Sequence, residues 1–316
     1  MKKVLLWVAA IVVVGGLVFV GLRGCTAMPW NRKTSASGTV SVSITRDFGR
    51  VVLKQGTARP GQGWTAMDAT KAVADVQTEY GGGFISGIAG LKSSSGGVRK
   101  DWFYYVNGVL SGVGADQMRV RASDRIWWDY HQWNGGSYAP EAVGAYPAPF
   151  SRGYPGGGKR STIVYGTGME SVAREVGAFL RKNGASLRFS GQAGSFRPGE
   201  APAMVFLSFE EAQRTAWVSA IMKDAGNTGA FVTFDGGKLV PLDVSGKEAP
   251  TGTALTAAIM STGSGMGDGA PTWLVLCEGR RGLDQAAGML LSEASQLKMK
   301  IGVAVDSSGG IYPLPR

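Results

Sequence analysis

The residues able to do chemistry are few in this chain, and most are aromatic. From Trp102 to Val106 every residue is aromatic or apolar: Trp102, Tyr104 and Val106 share one face of a strand, Phe103 and Tyr105 the other. From Ile126 to His131, one face is Ile126, Trp128 and Tyr130, and the other Trp127, Asp129 and His131. A small module has one core, so one aromatic set lies against it and the second needs another cover. Three covers are open: ordinary half-exposed strand filler, another protein domain, or a flat apolar or sugar-like ligand. The ligand reading makes Trp102, Tyr104, Tyr105, Trp127, Trp128, Tyr130 and His131 the candidate binding residues. It also separates neighbours: Trp128 faces the core, whereas Trp127 points to the uncovered side.

His131 is the only histidine. It is a candidate ligand for a metal or for the cobalt of a corrinoid, or a strand-end residue beside Asp129 with no chemistry. One His and two distant Cys exclude a metal site built from a His/Cys cluster, and no resident cofactor is expected. Tyr165-Gly166-Thr167-Gly168 follows a strand as a dinucleotide loop would. Ser171 occupies the third glycine slot, however, and Phe189-Ser190-Gly191 stands where the ribose-binding acid belongs. There is no Walker loop, nucleophile elbow or paired-carboxylate motif, and the sole His lies outside the C-terminal half. The expectation is a binding protein and not an enzyme.

The first 25 residues read as an export and anchoring segment. Lys2 and Lys3 precede the uncharged apolar run Val4–Leu22, which ends at Arg23. The run has the length of a spanning helix and exceeds a cleavable signal core. Positive charge before it favours a cytoplasmic N-terminus and an extracytoplasmic remainder. Leu22-Arg23-Gly24-Cys25 has the form of a lipoprotein box, with Cys25 as the lipidation site; Arg23 departs from the pattern, and an uncleaved signal anchor is the other reading. The only other cysteine, Cys277, sits in an apolar strand and reads as a small buried hydrophobe. The net charge of +10 arises before residue 161, because 14 bases balance 14 acids from there on. A basic stem suits anionic head groups, and nucleic-acid binding is not expected.

After a solvated stem at residues 26–37, residues 38–133 read as strand, strand, helix, strand, strand, strand, a β-grasp-like α+β module. Val40, Val42 and Ile44 alternate with polar residues. Thr65-Ala66-Met67-Asp68 is a capping box, followed by a helix face at Ala69, Ala72, Val73, Val76 and Tyr80. Asn107-Gly108 supplies a two-residue hairpin turn. Residues 134–160 hold seven Gly, four Pro and three Tyr, the composition of a semi-flexible linker. Residues 161–316 read as an α/β domain, with helices at 169–180, 209–222, 254–260 and 283–294. It contains an internal repeat: Pro202–Leu207 parallels Pro271–Leu276, and Phe231–Gly237 parallels Val303–Gly310. Each copy ends in Pro-Leu, at 241–242 and 313–314, which suggests duplication of an α-β-α-β-β unit.

Three segments of the first module carry a resemblance. Trp102-Phe103-Tyr104-Tyr105-Val106-Asn107-Gly108 resembles the W-x-Y-x-V-N-G hairpin of the transcobalamin-like C-terminal domain family. Ser123-Asp124-Arg125-Ile126-Trp127-Trp128-Asp129-Tyr130 resembles its G-D-x-I-x-W-x-Y closing strand, with Ser123 where the family has Gly. Trp64–Ala69 is similar to its helix start. The resemblance covers about residues 38–133 and implies a β-grasp-type domain of exported bacterial proteins. The same domain forms one lobe of vertebrate cobalamin carriers, whose other lobe, a helical barrel, has no counterpart here. A corrinoid ligand is thus implied only through the family. Two roles follow: an extracytoplasmic protein capturing a corrinoid or other small molecule near an importer, or a surface module docking a partner protein or wall polymer.

The anchor reading has a direct outcome. The chain should fractionate with membranes, and protease added to intact cells should digest residues 38–316. Full-length protein in the soluble cytosol would exclude it. Lipid labelling lost in Cys25→Ala marks the lipoprotein form; unchanged retention without labelling marks the signal anchor.

Overall fold

A computed structural model describes residues 38–94, 97–133, 139–155, 160–292 and 294–316. The anchor segment, Cys25 and the stem therefore lie outside the described residues. Among the described residues no helix is long and apolar enough to cross a membrane. The architecture is a mixed α+β arrangement dominated by sheets.

The N-terminal module opens with the hairpin β1 (Val40–Arg46) and β2 (Val51–Ala58). Next come α1 (Ala66–Lys71), the small sheet β3 (Val76–Glu79), β4 (Phe84–Ile88) and β5 (Leu91–Lys92), the hairpin β6 (Lys100–Val106) and β7 (Val109–Leu110), and β8 (Arg125–Gln132). The main sheet has the order β2-β1-β8-β6-β7. Its first and last strands, β1 and β8, lie side by side in parallel, with Val42 opposite Ile126 and Ile44 opposite Trp128. One face of this sheet closes over α1 to make a core of Val40, Val42, Ile44, Met67, Trp102, Tyr104, Trp128 and Tyr130. The Thr65/Asp68 capping box starts α1 as its sequence demands, but the helix ends at Lys71. Val76 begins β3, and Tyr80 is 87% exposed, so neither continues the expected helix face. A helix of six residues carries too few hydrogen bonds to persist without packing, and β-branched Val76 and Thr78 favour the strand.

Residues 134–160 were expected as a spacer, and the part described here is packed. Ala139, Pro140, Glu141, Ala142, Val143, Ala145 and Tyr146 are buried, and the short α2 (Ala148–Ser151) follows. Phe150 meets Trp273 edge to face at 5.2 Å. The apolar residues here are mostly small and spaced between Gly and Pro, giving no period, and their docking partners are distant in the sequence, from Gly108 and Leu110 on one side to Trp273 and Ile301 on the other.

The C-terminal module is built on a seven-stranded sheet, ordered β10-β9-β11-β15-β14-β16-β17. Its strands are β9 (Arg160–Tyr165), β10 (Ser186–Ser190), β11 (Ala203–Ser208), β14 (Leu255–Thr262), β15 (Thr272–Cys277), β16 (Gly302–Asp306) and β17 (Ile311–Leu314), while β12 (Val232–Asp235) and β13 (Lys238–Pro241) form a separate hairpin. Strands β10, β9, β11 and β15 are parallel, and β14, β16 and β17 extend the sheet antiparallel. One face is covered by α3 (Glu170–Lys182), α7 (Gly279–Leu291) and the 143–150 segment. The other face is covered by α4 (Phe209–Arg214), α5 (Ala216–Lys223), α6 (Ala225–Thr228), the β12–β13 hairpin, and Phe48, Tyr105, Leu110 and Trp127 of the N-terminal module.

Two elements differ from expectation. Where a helix is expected over 254–260, the strand β14 runs from Leu255 to Thr262. All eight of its residues are buried, and an apolar run that short is read by its length and neighbours, not by its period. The expected helix over 209–222 breaks at Thr215, which has extended φ/ψ and ends α4. The two segments that resemble each other in sequence each follow the element order strand, helix, strand, strand, and no α-β-α-β-β order is common to both. Their first strands, β11 and β15, are adjacent and in register from Ala203/Thr272 to Ser208/Cys277. Cys277 is fully buried, and burial pushes its thiol up to about 12.

The packing of residues 139–150 predicts that Phe150→Ala costs about 3–5 kcal/mol of stability in denaturant titration. A loss near zero would restore the spacer reading.

Candidate functional site

Six of the seven side chains singled out in the sequence come together as cross-strand pairs, and His131 lies opposite Asp101. Register places Trp102 opposite Tyr130, Tyr104 opposite Trp128 and Tyr105 opposite Trp127. Their ring centroids are 5.2, 4.6 and 5.0 Å apart, the pairing that stabilises antiparallel strands. None is a free surface: exposure runs from 1% at Tyr105 to 8% at Trp102 and Tyr104. Each polar tip is used inside the protein. Trp102 Nε1 donates to Leu91 O, Trp128 Nε1 to Thr70 Oγ1, Tyr130 OH to Lys92 O, Tyr104 OH to Val113 O, and Tyr105 OH to Ala139 O. The uncovered side expected for Trp127 is occupied by the C-terminal module, whose core its indole joins. Of the three covers open in the sequence, the second domain is the one found.

His131 is 6% exposed and lies between the rings of Phe48 and Phe103, at 4.2 and 4.3 Å. Its Nδ1 is 2.7 Å from Asp129 Oδ2. Sandwiched in this way, it is not presented to a ligand. Asp129 is fully buried and also accepts from Thr45 Oγ1, Phe48 N and Gly49 N. Trp127 Nε1 donates to the same Thr45 hydroxyl at 2.7 Å. This network fixes the β1–β2 turn, where Asp47, Phe48 and Gly49 have φ of 56°, 59° and 80°. Gly49 is required twice over: a Cβ there would lie 1.8 Å from Met299 O.

Where the two modules stop touching, a cleft of about 620 Å³ opens, within the size range of small-molecule sites. Its floor is the sheet face of Tyr105 and Trp127. One wall is the polar face of β1 and β2, with Ser41, Ser43, Gln55 and Thr57; the other is formed by Gly144–Pro147 and Ala294–Met299. Two cations line it, Arg125 and Lys298, and among the described residues no carboxylate, imidazole or thiol does. Arg125 Nη1 donates to Tyr146 O at 3.0 Å, and neither cation is in an ion pair among the described residues. Tyr105 and Trp127 are thus the only sequence-predicted site residues on the cleft. The alternation of Ser41, Ser43 and Thr45 opposite Val40, Val42 and Ile44 marked the polar wall. Nothing local in the sequence connects Lys298 with residue 41.

The Gly166–Gly168 loop is filled by a side chain. Thr167 N donates to Glu211 Oε1 at 2.8 Å, and a Cβ on Gly166 would lie 2.2 Å from Glu211 Oε2. Although burial opposes it, hydrogen bonds from Thr167 and Ser208 hold the Glu211 carboxyl below the usual glutamate range. An internal carboxylate therefore takes the place a phosphate would need.

Residues 63–132 match the family described as Domain of unknown function (DUF4430). The match ends with β8 and covers none of the C-terminal module. No curated protein matches the chain. Solved structures similar to it include one of a candidate metal binding protein from Ruminococcus gnavus ATCC 29149, at 12% identity and a TM-score of 0.24, covering 30% of this chain and 98% of that one.

The burial of both indoles sets an expected outcome for the aromatic pair. Trp127→Ala and Trp128→Ala should each lose about 3–5 kcal/mol in denaturant titration. Asp129→Asn should lose about 3 kcal/mol or more, since an amide cannot accept from all four donors. A Trp127→Ala variant as stable as wild type would return that ring to a surface role.

Proposed function

We propose that the chain is a binding protein, held at the outer face of a membrane by residues 1–25, whose cleft captures a small molecule bearing an anionic group and a flat apolar part. The observation that carries this reading is the pair Arg125 and Lys298, with no acid among the described residues that line a 620 Å³ cleft floored by Tyr105 and Trp127. Unpaired cations beside partly buried apolar surface attract a carboxylate or phosphate, while Ser41, Ser43, Gln55 and Thr57 add hydrogen bonds that orient the rest. The N-terminal module reads as β-grasp-like, from its parallel first and last strands and the helix across one face, and the C-terminal module as a duplicated β-α-β-β scaffold. The apolar run Val4–Leu22 supports the extracytoplasmic setting. For a corrinoid, axial ligation by His131 has no support, because that ring is stacked away from the cleft; the corrinoid remains one test compound among several.

A second reading rests on a different observation. The outer strand β2 exposes Val51, Val52 and Leu53 in succession, at 37%, 49% and 37%, at the unpaired edge of the main sheet. An apolar edge of this kind accepts an added strand from a partner protein.

Calorimetry on the full-length chain separates the two. The probes are 4-nitrophenyl phosphate, benzoate, neutral benzamide and cyanocobalamin. The anionic aromatics should bind and benzamide should not, and Lys298→Ala or Arg125→Gln should weaken binding about tenfold, the loss of one charged hydrogen bond. Equal binding of benzamide, or binding unchanged in both variants, would overturn the anion reading.

A further inference from the structure

The least compensated group in the described structure is Glu141. It is 1% exposed, and its Oε1 has no hydrogen-bond partner. It faces another carboxylate: a Cβ placed on Gly263 would lie 2.9 Å from Glu141 Oε1 and 2.7 Å from Asp268 Oδ2. Asp268 is itself held as an acceptor, taking N–H bonds from Ser264 on Oδ2 and Ala270 on Oδ1, both at 2.7 Å. No Lys, Arg or His makes an ion pair with either acid among the described residues. A further buried oxygen without a partner, Thr272 Oγ1, belongs to the same strand end, because Thr272 pairs with Thr262, the neighbour of Gly263. Burial first, and Asp268 second, pushes the Glu141 carboxyl well above its usual range. A buried carboxyl facing a second one needs a positive charge or a proton between them.

We propose that Glu141 and Asp268 form a binding site for a hard divalent cation of the Ca2+ class, distinct from the cleft. The donors are all oxygens, which suits Ca2+ or Mg2+ and not a softer metal. The Gly-rich loop 263–270 favours Ca2+, whose coordination tolerates irregular geometry, over Mg2+, which demands a near-ideal octahedron. A shared proton would serve the two carboxyls alone; a cation of six to eight oxygen ligands also draws on hydroxyl and carbonyl oxygens nearby. The site has a structural consequence. Glu141 bridges to Val109 and precedes Gly144–Pro147, a wall of the cleft, so the ion would tie that wall to the loop after β14.

The test is a melting curve of the full-length chain after chelator treatment, with and without millimolar CaCl2 or MgCl2. Ca2+ should raise the melting temperature by about 3 °C or more, and Mg2+ by less. Glu141→Gln and Asp268→Asn should each abolish the rise. If the buried Gln prevents folding, Asp268→Asn, on a half-buried loop, decides alone. No Ca2+ response in wild type, with Glu141→Gln at least as stable, would show a shared proton and overturn the proposal. An equal rise in wild type and Asp268→Asn would also overturn it, as binding elsewhere. Because Arg125 and Lys298 are untouched, loss of the cation response and loss of anion binding in the cleft are read separately.

Discussion

The carboxylate of Asp129 governs how the two modules meet. It is fully buried, and a buried charge is tolerated only when its lone pairs are filled. Here Thr45 Oγ1, Phe48 N, Gly49 N and His131 Nδ1 fill them. Two of these donors belong to a turn with three successive positive φ values, which L residues adopt at a cost. The hydrogen bonds offset that cost, and the turn then delivers Phe48 onto the imidazole of His131 and toward Phe231, whose ring centroid is 6.5 Å away. One acid thus sets the turn, the imidazole and the first aromatic contact across the seam. Through Thr45 it also orients the Trp127 indole.

The doubled aromatic pattern follows from this arrangement. In an isolated antiparallel or mixed sheet, one face is apolar and the other polar. The main sheet here is buried on both faces over most of β6 and β8, so both residue sets on those strands are aromatic or apolar apart from the hydrogen-bonded pair Asp129 and His131. Toward β1 and β2 the second face turns polar, with Ser41, Ser43, Gln55 and Thr57, and there the C-terminal module no longer covers it. The cleft is therefore the place where the sheet's second face changes composition, and its cations stand at that border.

How much of this was legible in the sequence depended on whether a partner was local. The β1 alternation, the Thr65/Asp68 capping box, the Asn107-Gly108 turn and the strands Trp102–Val106 and Arg125–His131 were readable because their determinants lie within a few residues. The parallel of Pro202–Leu207 with Pro271–Leu276 was readable and corresponds to two adjacent central strands. The β3–β5 sheet, the strand identity of Leu255–Thr262 and the packing of Ala139–Phe150 were not, because distant contacts decide them. For the site, the sequence showed that a second cover was needed over Trp127 and Tyr105 but left its identity open. Arg125 stands in a strand whose pattern is set by its aromatics, and a single charge there marks no site. Lys298 carried no signal at all.

The 139–147 segment joins these features into one mechanical unit. It bonds to the β6–β7 hairpin through Leu110 N to Pro140 O and Ala142 N to Gly108 O. It bonds to the C-terminal module through Val143 N to Ile301 O and Gly144 N to Lys300 O. At Gly144 the approach is so close that a Cβ would lie 2.8 Å from the backbone nitrogens of both Met299 and Lys300. Opening or closing the cleft by moving one module against the other would break the two bonds on one side of this segment, pull Phe48 and Trp127 from a shared core, and expose Asp129. Each of those steps costs free energy with no compensating contact in view. The geometry therefore favours a preformed cleft over one that closes about a hinge, with adaptation to a ligand left to the side chains at its rim, Gln55, Arg125, Lys298 and Met299.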